Sequence, residues 1–249
     1  GDGRTNKYDV EAGNNTYDNA VIENSKISEK NKIQNNQSML DDIMNSTQYP
    51  KQLQELALKN EEAIEFVYDY PTEHVKEHTI DLTEEASMDS VPLFVQWDKR
   101  WGYEKYSGNF FAASGCGPTT LSMVVVYLTH NRDASPIAVA KYSKEAGYSV
   151  DGSGSSWTLI SEGCRHYGVK AKTVALDESR MKAELDAGHP IVINVGPGDF
   201  TDTGHFMVIT GYDDEGFSIN DPNSIEKSGK RWLFKNISSQ IRAVWSMYV

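Results

Sequence analysis

A proline dictates where one helix of this chain must begin. Pro118 follows Ser114-Gly115-Cys116-Gly117 and precedes Thr119-Thr120. Proline has no N–H for the helical ladder and its ring clashes with the preceding turn, so it is tolerated only in the first turn. Leu121, Val124, Val125 and Leu128 then recur at i, i+3, i+4 and i+7, the spacing of one helical face. The spacing predicts a helix over about Pro118–Thr129 with Cys116 at its N-terminus. Unpaired N–H groups and the positive end of the helix dipole favour an anion there. A thiol in that place has a lowered pKa and a larger thiolate fraction. Gly115 and Gly117 remove side chains that would block an approaching carbonyl. Two plainer readings stand beside a nucleophile: a small buried apolar residue, or a disulfide with Cys164. Cys164 itself shares an apolar stripe with Ile160 and Tyr167 and reads as core packing.

Charge and texture divide the chain of 249 residues unevenly. Residues 1–90 hold 8 basic and 19 acidic side chains, net −11, and residues 91–249 hold 16 and 17, net −1. With no basic surplus to neutralise phosphates, a nucleic-acid or anionic-membrane binder is disfavoured. The longest apolar run, Met123–Leu128, is far short of the roughly 20 residues that span a bilayer. Two cysteines cannot build a disulfide framework. The first residue is Gly1 rather than Met, as expected of a processed or trimmed chain.

Residues 1–47 are rich in Asn, Ser, Lys, Glu and Asp without a stable period, and read as a disordered acidic and polar leader. Residues 48–90 read as a helical extension and charged connector. Leu53, Leu56, Ala57, Ile64, Val67 and Tyr68 share a face of a helix over about Lys51–Tyr68, interrupted by Asn60, which is expected to dock on the main domain. From Val91 aromatics, glycines and apolar runs become dense, and about 160 residues suffice to bury roughly 70% of their unfolded surface. Further helices are expected over about Pro136–Ala146, Ser156–Tyr167 and Glu178–Ala187, each followed by a glycine. Strands are expected at Pro190–Val195, His205–Tyr212, Phe217–Asn220 and Ala243–Tyr248, the middle two joined by a turn over Asp213–Gly216. Helices followed by an antiparallel sheet make an α+β domain.

A base for the thiol must come from elsewhere in the chain. His205 opens the apolar strand Gly204-His205-Phe206-Met207-Val208-Ile209, where a rigid element holds it. Beyond the turn, the returning strand ends in Ile219-Asn220-Asp221-Pro222, near the same end of the hairpin. A carboxylate there suits an imidazole orienter in a nucleophile–His–Asp triad. A plain hairpin pairs Asp221 with Val208 instead, so a bulge, another register or strong twist is required. The plainer readings are a hydrogen-bonded strand-end histidine and an Asx turn before Pro222. Gln96 is either an exposed glutamine or a side-chain donor for an oxyanion beside the Cys116 N–H.

Together, Val91-Pro-Leu-Phe-Val-Gln96-Trp97, Ser114-Gly-Cys116-Gly-Pro, Gly204-His205-Phe-Met-Val and Ile219-Asn-Asp221-Pro resemble the papain clan, specifically its double-glycine (bacteriocin-processing) peptidase-like branch. The order Gln, Cys, His, Asp matches, as does the 16-residue step from His205 to Asp221. The resemblance covers about residues 91–249. It implies a papain-like fold, with N-terminal helices packed on an antiparallel sheet and the extra helical extension before it. It also implies Cys116 as nucleophile, His205 as base and acid, Asp221 as its orienter and Gln96 in the oxyanion hole. The implied activity is peptide-bond hydrolysis through a thioester, with no cofactor or metal. Alternatives on the same scaffold are a transpeptidase, a cell-wall amidase or a non-catalytic binding module. A peptide or protein substrate, a cell-wall peptide among the candidates, and a secreted or cell-surface location in a Gram-positive bacterium follow from the same likeness; a monomer is favoured, with no sequence feature that sets the oligomeric state. In leader-processing peptidases the glutamine stands a few residues before the cysteine; here 20 residues separate them, so Asp98–Ala113 must loop out. Those peptidases are fused to transporter domains, so double-glycine specificity does not carry over.

Three other patterns read plainly. His74-Val75-Lys76-Glu77-His78 spells a zinc-peptidase pattern but lies in the charged connector and reads as a solvated segment. Residues 151–156, Asp-Gly-Ser-Gly-Ser-Ser, lack the Lys of a phosphate loop. By the resemblance that loop and Trp157 border the cleft, and Gly196–Phe200 forms the opposite rim.

Overall fold

The computed structural model describes residues 7–249, with side chains from Asp18 onward. The chain forms two compact units, one ending at Tyr68 and one spanning Asp69–Val249. The first contains helices α1 (Lys7–Asn45), α2 (Lys51–Lys59) and α3 (Ile64–Tyr68). The disordered leader expected over 1–47 is therefore corrected for Lys7–Asn45, and residues 1–6 lie outside the described residues. Most of α1 is polar. Its C-terminal part packs on α2 and α3, where Ile43 is fully buried. That tertiary contact supplies what composition alone does not. The helix expected over Lys51–Tyr68 breaks at Asn60, whose backbone is extended and whose side chain caps the Glu62 N–H at 3.1 Å.

The second unit starts with two short helices, α4 (Tyr70–Glu73) and α5 (Thr83–Ala86). A hairpin of β1 (Lys105–Tyr106) and β2 (Asn109–Phe110) leads into α6 (Phe111–Ser114), α7 (Cys116–Thr129) and α8 (Pro136–Glu145). A second small hairpin, β3 (Ser149–Val150) with β4 (Gly154–Ser155), precedes α9 (Thr158–Ser161). Then come β5 (Lys170–Thr173), α10 (Glu178–Asp186), β6 (Ile191–Val195), β7 (His205–Asp213) and β8 (Gly216–Asn220). The chain closes with α11 (Ile225–Ser228), β9 (Arg231–Trp232), α12 (Phe234–Ile237) and β10 (Ile241–Tyr248).

β5 to β10 form one antiparallel sheet in the order β5-β10-β6-β7-β8-β9. Alternation along its strands sorts two cores. Phe206, Val208, Val192, Trp245 and Met247 face Leu121, Val124 and Val125 of α7. Met207, Ile209, Ile191, Ile193 and Ile219 face the other way, toward Met181 of α10 and Ile237 of α12. Covered on both sides, β6 is buried throughout, which is why it reads as an apolar run interrupted only by Asn194. Leu82 and Ala86 belong to the α7 core, so the stretch expected as a charged connector is partly core and the unit begins before Val91. The helix expected over Ser156–Tyr167 is two pieces, α9 and a 3-10 turn at Gly163–Tyr167. The edge strands β5 and β9 carry no apolar alternation, so no sequence pattern marks them.

Candidate active site

α7 begins at Cys116, and its N-cap is Gly115. The two flanking glycines have a packing reason rather than the open approach expected for them. A Cβ at Gly117 would stand 2.7 Å from Ser155 Oγ, and one at Gly115 would stand 2.6 Å from the Phe111 ring. Both approaches let neighbouring chain press on the helix start. Cys116 is free and half-buried, and Cys164 is free and fully buried. The disulfide alternative is thereby overturned, and Cys164 packs in the α7 core, where burial pushes its thiol up to about 11.

His205 is the first residue of β7. Its Nε2 lies 2.6 Å from Asp221 Oδ1, and both side chains are buried. The imidazole is also coupled electrostatically to the Cys116 thiol. With Nε2 committed to Asp221, Nδ1 is the nitrogen left for sulfur. The hairpin solves the register difficulty with a bulge. Near the turn Gly211 pairs Ser218, but beyond Thr210 the partners become Ile209↔Ile219 and Val208↔Asn220. Continued one step, Asp221 opposes Met207 and shares the face of His205; the plain register would have turned it to the opposite face. The Asx-turn reading of Asp221 also holds, because Oδ1 accepts the Asn223 N–H at 2.8 Å.

The segment carrying Gln96 runs beside this turn. Asn220 Nδ2 donates to Pro92 O at 3.1 Å, the Gln96 N–H to Pro222 O at 2.7 Å, and Trp97 Nε1 to Asn223 O at 3.0 Å. Gln96 is buried, not exposed, and its Nε2 donates to Ala112 O at 2.8 Å, four residues before Cys116. The 20-residue separation is thus closed in space. Residues 98–113 do loop out, pinned by Trp101, whose indole N–H donates to Val95 O at 2.9 Å.

Electrostatics couple the three groups. Burial pushes the Cys116 thiol up, but its hydrogen bond and attraction to His205, with the Phe206 N–H, outweigh it and hold the thiol below its ordinary value. Burial pushes His205 down, but the charge and hydrogen bond of Asp221, then those of Cys116, raise it well above the usual imidazole range. Both shifts favour a thiolate–imidazolium pair backed by a carboxylate.

Sequence reasoning missed two supports. Ser228 Oγ accepts the Asp221 N–H at 2.8 Å and donates to Ser224 O at 2.6 Å, fastening the turn. The buried Tyr106 hydroxyl lies 2.8 Å from Ser143 Oγ and 2.5 Å from Ser155 Oγ, tying α8 and β4 together where Ser155 meets Gly117 of α7. Neither carries a local motif. The zinc-like pattern makes no site: His78 Nε2 bonds Glu73 O at 2.8 Å, and no group among the described residues suits a metal ion.

A thiol on a helix start, an imidazole on a sheet strand and a carboxylate behind it define the papain-like class of α+β folds. The model of the Peptidase C39-like family matches residues 88–249, and the chain belongs to that double-glycine peptidase-like family. No curated protein matches the sequence. Among solved structures, the chain is similar to the peptidase domain of Streptococcus ComA, described as a bi-functional ABC transporter involved in a quorum sensing pathway. That match has 20% identity and a TM-score of 0.42, covering 55% of this chain and 90% of that one. A C39-like peptidase from Bacillus anthracis matches at 18% identity and a TM-score of 0.39, covering 64% and 95% respectively. No helix among the described residues is long and apolar enough to cross a membrane.

Proposed function

We propose that this chain is a cysteine peptidase in which Cys116, His205 and Asp221 form the catalytic triad. The observation that carries the reading is the buried 2.6 Å contact between His205 Nε2 and Asp221 Oδ1, with the Cys116 thiol coupled electrostatically to the same imidazole. The Cys116 sulfur attacks the carbonyl carbon of a peptide bond. The oxyanion takes the Cys116 N–H at the helix start and the second Nε2 proton of Gln96, whose first is held by Ala112 O. The C–N bond breaks as His205 gives its proton to the leaving amine, and a thioester remains. Water, deprotonated by His205, then releases the acid and restores the pair. The free Cys116 beside the buried His205–Asp221 pair supports an enzyme over a binding module on the same scaffold.

Iodoacetamide labelling with mass mapping tests the assignment against a quenched-peptide library. Loss of turnover should track modification of Cys116, and Cys116→Ala should abolish it. Full turnover by Cys116→Ala would defeat the mechanism.

A further inference from the structure

Arg242 is the extra residue of a second β-bulge. β10 pairs with β6 through Ile241↔Val195 on one side and Ala243↔Asn194 on the other, so the register shifts across Arg242. Bulges re-aim the side chain they carry and are over-represented beside active sites. The same row continues from Val195 to His205 on β7, so this bulge stands two strands from the imidazole. The guanidinium rests against the backbone at Gly196, where a Cβ would stand 2.5 Å from Nε and 2.7 Å from Cζ. Its Nη1 extends toward the residue next to His205, 3.8 Å from where Gly204 would carry a Cβ. Gly196 makes the seat, and a side chain there would displace the cation.

The seated cation is unused. Arg242 is exposed, and among the described residues no carboxylate or hydrogen-bond acceptor engages it. By contrast Arg100 is held by Asp98 at 2.9 Å and Arg231 by Asp213 at 2.8 Å. The neighbouring loop is braced without it. Gly196 N–H donates to Gln240 O at 2.8 Å, and Asp199 N–H donates to Gln240 Oε1 at 2.8 Å. The Asp199 carboxylate on the same loop accepts from Gln240 Nε2 at 2.7 Å.

We propose that Arg242 forms a carboxylate-binding subsite on the leaving-group side of His205, taking a carboxylate that the substrate carries just downstream of the scissile bond. The proposal rests on the cysteine-peptidase reading. His205 hands its proton to the departing amine, so the segment beginning with that amine passes the imidazole, beside Gly204 and the guanidinium. The planar fork of arginine matches a carboxylate through two parallel N–H···O bonds. An Asp or Glu side chain and a free peptide C-terminus present the same group.

The test uses three randomised peptide pools: amidated with Asp or Glu downstream, amidated with Asn or Gln there, and neutral with a free C-terminal carboxylate. Fluorescence anisotropy measures their binding to Cys116→Ala, which needs no turnover, and quenched versions measure kcat/KM on the wild type. The first or third pool should bind roughly five- to tenfold tighter than the second, and whichever leads identifies the source of the carboxylate. Arg242→Gln should collapse that ratio to about one through KM, Arg242→Lys should keep part of it, and added salt should erode it in the unmodified protein. Equal binding of all pools to Cys116→Ala, a salt-independent preference, or a preference that survives Arg242→Gln would overturn the subsite. Absence of turnover with the binding preference intact would instead count against the peptidase reading alone.

Discussion

Asp221 is asked to do two things with one oxygen. Its Oδ1 accepts from His205 Nε2 at 2.6 Å and from the Asn223 N–H at 2.8 Å, while Oδ2 is buried without a hydrogen-bond partner among the described residues. A half-satisfied buried carboxylate is costly unless a cation faces it, so the fold favours the imidazolium. That sets the direction of the pH profile. Turnover should rise as the Cys116 thiol ionises, at a pH below that of an ordinary thiol. It should fall only when His205 loses its proton, above the ordinary imidazole range, because the leaving amine then has no donor. Asp221→Asn should move the alkaline limb down and cut kcat/KM on the order of 100-fold. A pH–rate profile of both proteins checks this, and superimposable alkaline limbs would contradict it. The residues of this set were legible in the sequence because each sits on local punctuation: Pro118 marks a helix start, Gly204 a strand start, and Asp221-Pro222 a turn. Tyr106 and Ser228 were not legible, since their partners lie far along the chain or in a short helix without apolar period.

Register, at the scale of elements, decides whether those residues meet. The two-residue turn at Asp214-Glu215 sets one register for the hairpin of β7 and β8. The apolar pattern sets another, because Ile219 must oppose Ile209 to be buried. Thr210 absorbs the difference as the extra residue. Deleting Thr210 should preserve the pairs on both sides and leave turnover within a few-fold. Inserting one glycine after Asn220 should turn Asp221 away from His205 and cost as much as Asp221→Asn. Iodoacetamide rates at Cys116 and kcat/KM of both variants measure this; equal losses, or an active insertion variant, would contradict it. The same competition explains which elements could be read beforehand. β6, β7 and α7 carry strong periods, whereas β5 and β9 are edge strands whose place comes from their neighbours' hydrogen bonds.

At the scale of the whole molecule, the compact unit around the site begins at Asp69 rather than Val91. Leu82 is fully buried in the core beneath α7, and Ala86 lies beside it. Removing such a leucine costs about 2–5 kcal/mol. A chain beginning at Asp69 should therefore melt cooperatively, and one beginning at Val91 should melt at least roughly 5 °C lower. Thermal scans of the two truncations decide it, and matching midpoints would remove Leu82 from the core account. What the sequence determined by itself was local: a helix opened by a thiol, an apolar strand opened by an imidazole, a carboxylate before a proline, and an α+β order of elements. These follow from backbone sterics and short-range periodicity, which act over a few residues. Tertiary structure alone decided that a bulge turns Asp221 toward His205, that Gln96 closes a 20-residue gap, and that Arg242 rests on Gly196. Those depend on strand register and on close packing between distant segments, where a shift of one residue reverses every side chain.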